Sequence, residues 1–449
     1  MTISLLLQMV GVSLAAVIIY TFIGFIPGTD ETSVLMPISL ALVLAGTPAI
    51  LGLTFFIASV VTLNLTNLMP TALVGLPGGV LSAPMIEHAL IVKKQGQSAL
   101  IIKKMAAASL IGTVVSIPTS FVLAQVIAPY AQNIQPYASL LFVLGAVFLA
   151  MLSKNRILSL LTIIPLALLF MALRHLYWGT GIVAEVTTIT TSFFLGITIG
   201  PLVVSLLTLL NKDQQKEMIV EEYNHVQLDN KTINRSLNPF KTLTKEEGRA
   251  ATLSSILSSF LFFLSPVGLI LLFGESIVKR TKASEKKPAM AMTTMSALAQ
   301  STYLSGIIIP LFALGIPLSP TAIGPGNALF NAPPVYGLEN NLHYQLGTLE
   351  FVLAAIIGAV IASAITYVLI HRFAFRITHF IMKKIPHEAV LAIFLSFIFL
   401  LAYMDAGLIN VFGVLLIAVA CGSLNKLGVN YGVQFMTLYA APQILAWLT

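Results

Sequence analysis

Hydrophobic residues fall in long runs near 4–26, 34–61, 105–130, 137–153, 157–173 and 181–210, and again near 250–278, 348–371, 388–404, 406–421 and 430–448. A helix of about 20 apolar residues crosses a hydrocarbon core of about 30 Å, and these runs approach or exceed that length. The pattern predicts an all-α polytopic membrane protein with about ten to twelve membrane segments. Two stretches interrupt it, near 65–91 and 296–335. The first holds Leu73-Val74-Gly75-Leu76-Pro77-Gly78-Gly79 and the second Ala313-Leu314-Gly315-Ile316-Pro317-Leu318-Ser319. This weak internal repeat divides the chain into an N-terminal half, 1–210, and a C-terminal half, 250–449, joined by a polar loop, 211–249. A kinked helix is the simpler reading of either motif alone. Non-helical backbone survives in a membrane only where protein or a water-filled cavity satisfies its polar groups, and paired Gly/Pro breaks in matching positions point to a transporter site near the midplane. Residues 65–91 and 296–322 are therefore expected to form two re-entrant hairpins, one in each of two inverted halves.

Composition narrows the class. Of 449 residues, 57% are hydrophobic and 9% charged, against about 25% charged in an average soluble domain, and the mean hydropathy is +0.95. An ordinary soluble enzyme is excluded. The polar loop holds seven of the 24 basic and seven of the 17 acidic residues, so the net charge of +7 resides elsewhere, in short clusters such as Lys93, Lys94, Lys103 and Lys104. Such clusters read as cytoplasmic anchors. Nothing resembles a nucleic-acid surface, because no long basic face or aromatic platform accompanies them. With those lysines inside, the next runs alternate and deliver the polar loop to the cytoplasm. A single crossing by 251–278 would then leave Lys279, Arg280, Lys282, Lys286 and Lys287 outside, unless Ser265-Pro266-Val267-Gly268 breaks it. The one cysteine, Cys421, lies in an apolar run and reads as a buried, inert thiol. The first twenty residues lack the basic region of a cleavable signal, so they are expected to remain as a spanning helix.

Motifs of soluble catalysis are missing: there is no phosphate-binding loop, no dinucleotide fingerprint and no His-Glu-x-x-His pattern, and His387-Glu388 lacks a second His. Acidic residues near apolar runs say more, because an ionisable group at membrane depth is costly unless it faces a cavity or partner. Thr29, Asp30 and Glu31 sit in a Pro/Gly-rich connection where they can coordinate a cation or relay a proton; an ordinary external loop is an equally good reading. Glu185, followed by a run of Thr and Ser, reads as a polar helix seam. Asp405 belongs to a turn between late helices, and Glu350 to a helix start that favours a carboxylate.

Phe25-Ile26-Pro27-Gly28, Leu76-Pro77-Gly78 and Val92-Lys93-Lys94-Gln95-Gly96-Gln97-Ser98-Ala99-Leu100 resemble the large membrane subunit of the tripartite tricarboxylate transporters. Ser305-Gly306-Ile307-Ile308-Ile309-Pro310-Leu311-Phe312-Ala313-Leu314-Gly315-Ile316-Pro317 resembles the second signature of that family. The likeness covers 20–125 and 285–335. Where the family usually carries a Gly-Gly-Ser-type run, this chain has Thr62-Leu63-Asn64-Leu65-Thr66-Asn67. Gln300-Ser301 stands for an Asn-Asn pair and Leu318 for a Gly, which marks a divergent branch. The resemblance implies a permease for a small carboxylate, working with a small membrane subunit and an extracytoplasmic solute-binding protein.

The expectation is a secondary active transporter, not an enzyme, that moves a small organic anion, a di- or tricarboxylate, coupled to Na+ or H+. Asn64, Asn67, Gly78, Gly79 and Ser82 from the first break, with Gln300, Ser301, Gly315, Ser319 and Thr321 from the second, are the substrate-binding candidates. Glycines let backbone amides approach, and hydroxyls add donors. Thr29, Asp30 and Glu31 are the coupling-ion candidates. No cofactor or metal is expected apart from Na+. The expected setting is the plasma membrane of a prokaryote, with a homo-oligomer compatible. The rivals are an intramembrane enzyme acting on a lipid-linked substrate and a stand-alone permease for another small solute such as an amino acid.

Overall fold

The computed structural model describes residues 2–26, 31–74, 78–181, 183, 190–209, 238–384 and 387–449. The main helices are α1 (Ile3–Gly24), α2 (Glu31–Leu44), α3 (Ala49–Thr66), α4 (Leu68–Val74), α5 (Ile86–Lys94), α6 (Ser98–Ile127), α7 (Ala138–Leu152), α8 (Arg156–Gly179), α9 (Thr190–Leu209), α10 (Lys245–Phe260), α11 (Pro266–Arg280), α12 (Lys287–Ile309), α13 (Thr348–Lys384), α14 (His387–Lys426) and α15 (Tyr431–Leu448). Among the described residues the only β pairing is two isolated bridges, Ala332 with Tyr336 and Gly337 with Asn340.

Seven helices among the described residues are long and apolar enough to cross a membrane. On α8, Ile157, Leu161, Ile164 and Leu168 are exposed at spacings that place them on one stripe. A stripe of that size on a soluble monomer would be a liability, and in a bilayer it faces acyl chains. Helices α3 and α12 are the opposite case. Both are buried on nearly every face, so they form the centre of the bundle.

Close helix approach depends on small residues. A side chain at Gly112 on α6 would run into the carbonyl of Ala297 on α12, and Ala108, Ala251 and Ala297 form one cluster joining α6, α10 and α12. These three helices run in the same direction: Lys104 meets Glu247 near their starts, Ser258 meets Ser301 further on, and Phe262 lies beside Ile127 and Gly306 at the far end.

The conflict over 251–278 is resolved by the break at Ser265. The Ser265 hydroxyl accepts from Gly268 N–H and Pro266 opens a new helix, so α10 ends and α11 turns back along α12, with Gly274 against Met295. Lys279, Arg280, Lys286 and Lys287 thereby return to the end where α6 begins with Lys103 and Lys104. Each arm, α10 with 16 residues and α11 with 15, is shorter than the about 20 residues that a span needs.

Residues 211–237 of the polar loop lie outside the described residues, but its last part is folded. Thr244 and Glu247 form a reciprocal capping box, Thr244 N–H to Glu247 Oε2 at 2.9 Å and Glu247 N–H to Thr244 Oγ1 at 3.2 Å, so the first helix of the C-terminal half begins inside the loop at Lys245. Lys104 Nζ lies 2.6 Å from Glu247 Oε1, with both side chains largely buried. Removing one partner strands the other, at a cost of about 3 kcal/mol. Lys104→Met is therefore expected to lower the melting temperature more than the double variant Lys104→Met with Glu247→Gln, measured by fluorescence-detected unfolding in detergent.

Late in the chain, α14 breaks at Ala406 and Gly407, where φ of +71° at Gly407 suits a residue without Cβ; this is beside Asp405. Glu350 lies in the first turn of α13, and its carboxylate accepts from Gly347 N–H at 3.0 Å. Cys421 is buried. Glu185 lies outside the described residues.

Candidate substrate site

Helix α4 is described as far as Val74, and Gly75, Leu76 and Pro77 of the first motif lie outside the described residues. Gly78 returns to the level of Asn67, so close that a Cβ there would strike the Asn67 carbonyl, and Gly78 N–H donates to Thr71 Oγ1 at 3.2 Å. A six-residue 3-10 helix follows, Val80–Met85. Ser82 Oγ accepts from Gly79 N–H at 3.1 Å and donates to Gly79 O at 2.8 Å. Glu31, from the start of α2, reaches into this turn. Its carboxylate accepts from Asn67 Nδ2 at 3.4 Å, Val80 N–H at 3.3 Å and Leu81 N–H at 3.4 Å. A carboxylate only 3% exposed thus satisfies the first N–H groups of the 3-10 helix Val80–Met85, which have no partner within that helix. Thr29 and Asp30 lie outside the described residues.

The second break starts later than 296. Helix α12 runs without interruption through that position to Ile309, and a π-type turn, Pro310–Leu314, follows. It ends at Gly315, with φ of +66°, whose carbonyl accepts from Asn341 Nδ2 at 2.8 Å. His343 packs on Gly315 and its Nδ1 lies 3.0 Å from Leu311 O. A carbonyl can only accept, so Nδ1 carries the proton. Burial holds this imidazole below its ordinary range, outweighing its bonds to Leu311 and Phe312.

Ser319 is spent on the fold. Its hydroxyl donates to Gly306 O, accepts from Ala322 N–H at 3.0 Å and lies 3.2 Å from Thr321 Oγ1, so it caps the short helix Pro320–Ile323. Thr321 both touches Ser319 and lines a cavity. Ser319→Ala is accordingly expected to lower stability by about 1 kcal/mol. Thr321→Val should leave stability nearly unchanged and raise the half-saturation concentration for uptake severalfold; equal effects of the two on stability and kinetics would contradict this division.

A cavity of about 490 Å³ joins the two breaks. Glu31, Val80 and Leu81 line it from the first and Pro320 and Thr321 from the second, with Ser265 and Pro266 at the α10–α11 turn and Tyr303 of α12. It continues to Ser153, Lys154, Asn425 and Asn430, where Lys154 is exposed. The cavity therefore leads from buried groups at the breaks to a basic end. Ser265, Tyr303, Lys154 and Asn430 were not among the sequence candidates; the Ser-Pro break was a usable signal for the first, while the others come together only through packing.

Asn64 and Gln300 do not line this cavity. They face each other's helices: Asn64 Nδ2 donates to Ala299 O at 3.2 Å and Gln300 Nε2 to Val61 O at 2.9 Å. Ser301 pairs with Ser258 Oγ at 2.9 Å. The amide oxygens of Asn64 and Gln300 are buried and meet no protein donor, at a cost of about 1–3 kcal/mol for each such group left unsatisfied.

A helical bundle with exposed apolar stripes and a cavity lined in part by two interrupted segments and open at its basic end defines a polytopic membrane protein. The particular family follows from the sequence: the chain belongs to the tripartite tricarboxylate transporter TctA family, whose sequence model matches residues 10–434. The match extends well beyond the two motif regions, and the family is one of transporters rather than enzymes. No curated protein and no solved structure matches the chain.

Proposed function

We propose that the chain is the permease of a secondary active transporter for a small di- or tricarboxylate, driven by a Na+ or H+ gradient. The observation that carries this is the cavity between the two breaks, since it brings residues of both halves, Glu31 with Val80 and Leu81, and Pro320 with Thr321, to one space of a size suited to a small solute. In this reading the solute rests against Thr321, Ser265 and Tyr303 and leaves past the basic end at Lys154. The alternation of apolar runs read from the sequence puts that end on the side of the lysine clusters, the cytoplasmic side by the positive-inside rule. Glycines 78, 79 and 315 serve mainly to let the breaks fold tightly, because the amides of all three and the carbonyls of Gly79 and Gly315 already have partners within the chain. A small membrane subunit and an extracytoplasmic receptor are the partners that a three-part transporter requires.

Uptake of radiolabelled citrate into proteoliposomes, with and without an imposed Na+ or pH gradient, tests the reading. Gradient-driven accumulation supports it. Failure to accumulate citrate, malate or succinate, with or without added partner subunits, sinks the substrate class, and accumulation of amino acids instead would favour the stand-alone rival.

A further inference from the structure

We propose that Asn64 and Gln300 bind Na+ at the crossing of α3 and α12. That this Na+ is the coupling ion rests on the transport reading above; the site itself does not.

The two residues come from different halves of the chain and sit across one helix crossing, each amide nitrogen tied to a main-chain carbonyl of the opposite helix. Those carbonyls can only accept, so the orientation of both amides is fixed: each NH2 group spends one of its two N–H donors on the opposite helix, and each oxygen points away from that bond. Asn64 is fully buried and Gln300 is 1% exposed, and neither oxygen has a protein donor. Oxygens without donors attract a cation and repel an anion, so these two atoms do not suit the carboxylate substrate expected from the sequence. Neutral amides do not bind a proton at ordinary pH. Hard cations take neutral oxygen ligands, and a divalent ion would call for carboxylates as well. No group of three acidic, His or Cys side chains is present among the described residues. A monovalent cation of Na+ size is what remains.

The position is suited to coupling. Helices α3 and α12 are the two most enclosed helices of the bundle, and an ion held by both would pin one half to the other. One turn beyond Asn64, Asn67 holds the Glu31 carboxylate and packs its own carbonyl on Gly78. Fixing the crossing therefore fixes the base of the first break and the wall of the cavity, so ion and solute would each favour the other's binding.

The test uses the purified full-length chain in detergent, with no organic substrate. Its melting temperature is followed as NaCl replaces choline chloride at constant ionic strength, and again with KCl. We expect a saturable rise specific to Na+. Asn64→Leu and Gln300→Met remove the amide oxygens at nearly constant volume, and each should raise the half-saturating Na+ concentration by about tenfold or more; the exposed Ser396→Ala should not change it. The readout is the Na+-dependent increment, so a lower baseline in a variant does not confuse it. If neither variant folds, the wild-type ion series still decides. Equal melting in Na+, K+ and choline would mean that water serves these oxygens and would overturn the proposal, as would equal stabilisation by K+. Citrate uptake separates the two readings: Na+ stabilisation without any uptake sinks the substrate class alone, and uptake indifferent to Na+ sinks the coupling role alone.

Discussion

Glu31→Ala is expected to abolish uptake and to destabilise the purified protein by about 2–4 kcal/mol. The carboxylate is the shared acceptor of Asn67 Nδ2 and the backbone N–H groups of Val80 and Leu81. It is almost completely buried, so alanine would leave three donors facing a space that water reaches only through the cavity. The bonds are long, which keeps the expected loss below the sum for three ideal charge-assisted bonds. Glu31→Gln retains the shape and one acceptor oxygen but turns an NH2 group toward donors, so it should be intermediate in stability and strongly reduced in uptake. Thermal unfolding and initial uptake rates on the same preparations check this. A Glu31→Ala protein with wild-type melting and kinetics would remove Glu31 from the architecture of the first break.

Gly112→Val is expected to have the largest effect on folding. A Cβ at Gly112 falls on the carbonyl of Ala297, and a backbone atom in the middle of a central helix cannot step aside as a side-chain tip can. Overpacking in a well-filled interior costs about 1–3 kcal/mol even where repacking is allowed, and here α6 and α12 would have to separate along their whole contact. The variant should be nearly undetectable as a monodisperse peak in fluorescence size-exclusion chromatography. Gly11→Val on α1 is the control, because nothing lies within 4 Å of the position where its Cβ would stand. Comparable yields of the two variants would show that the α6–α12 contact is looser than its geometry implies.

The site was legible in the sequence only in outline. Glu31, Gly78 and Thr321 stood out because carboxylates at membrane depth and Gly/Pro breaks are rare enough to carry meaning. Their roles were not legible. Ser319 and Ser82 had the right chemistry for binding an anion, yet both are consumed by capping the turns that contain them. Asn64 and Gln300 were read as substrate candidates, whereas each spends one amide N–H on the opposite helix and keeps an oxygen that meets no protein donor. Which atom of a polar side chain is left over depends on its neighbours in space, and a single sequence does not give those.

The sequence by itself determined the class, placed apolar runs where seven described helices are long and apolar enough to cross a membrane and four are shorter, and marked the Gly/Pro interruptions and an expected basic side. Each rests on local physics: apolar length set by bilayer thickness, backbone satisfaction at Gly and Pro, and charge bias at helix ends. It also contained the Thr244–Glu247 capping box and the Ser265–Pro266 break, which are short-range signals of the same kind. Tertiary structure alone decided that α10 and α11 fold back together, that Glu31 reaches a turn some fifty residues away, and that the two breaks share one cavity. Those are contacts between distant segments, selected by how helix surfaces fit. Many sequences with the same periodicity could pack differently, and only the fit of Gly112 on Ala297 or Gly78 on Asn67 singles out this arrangement.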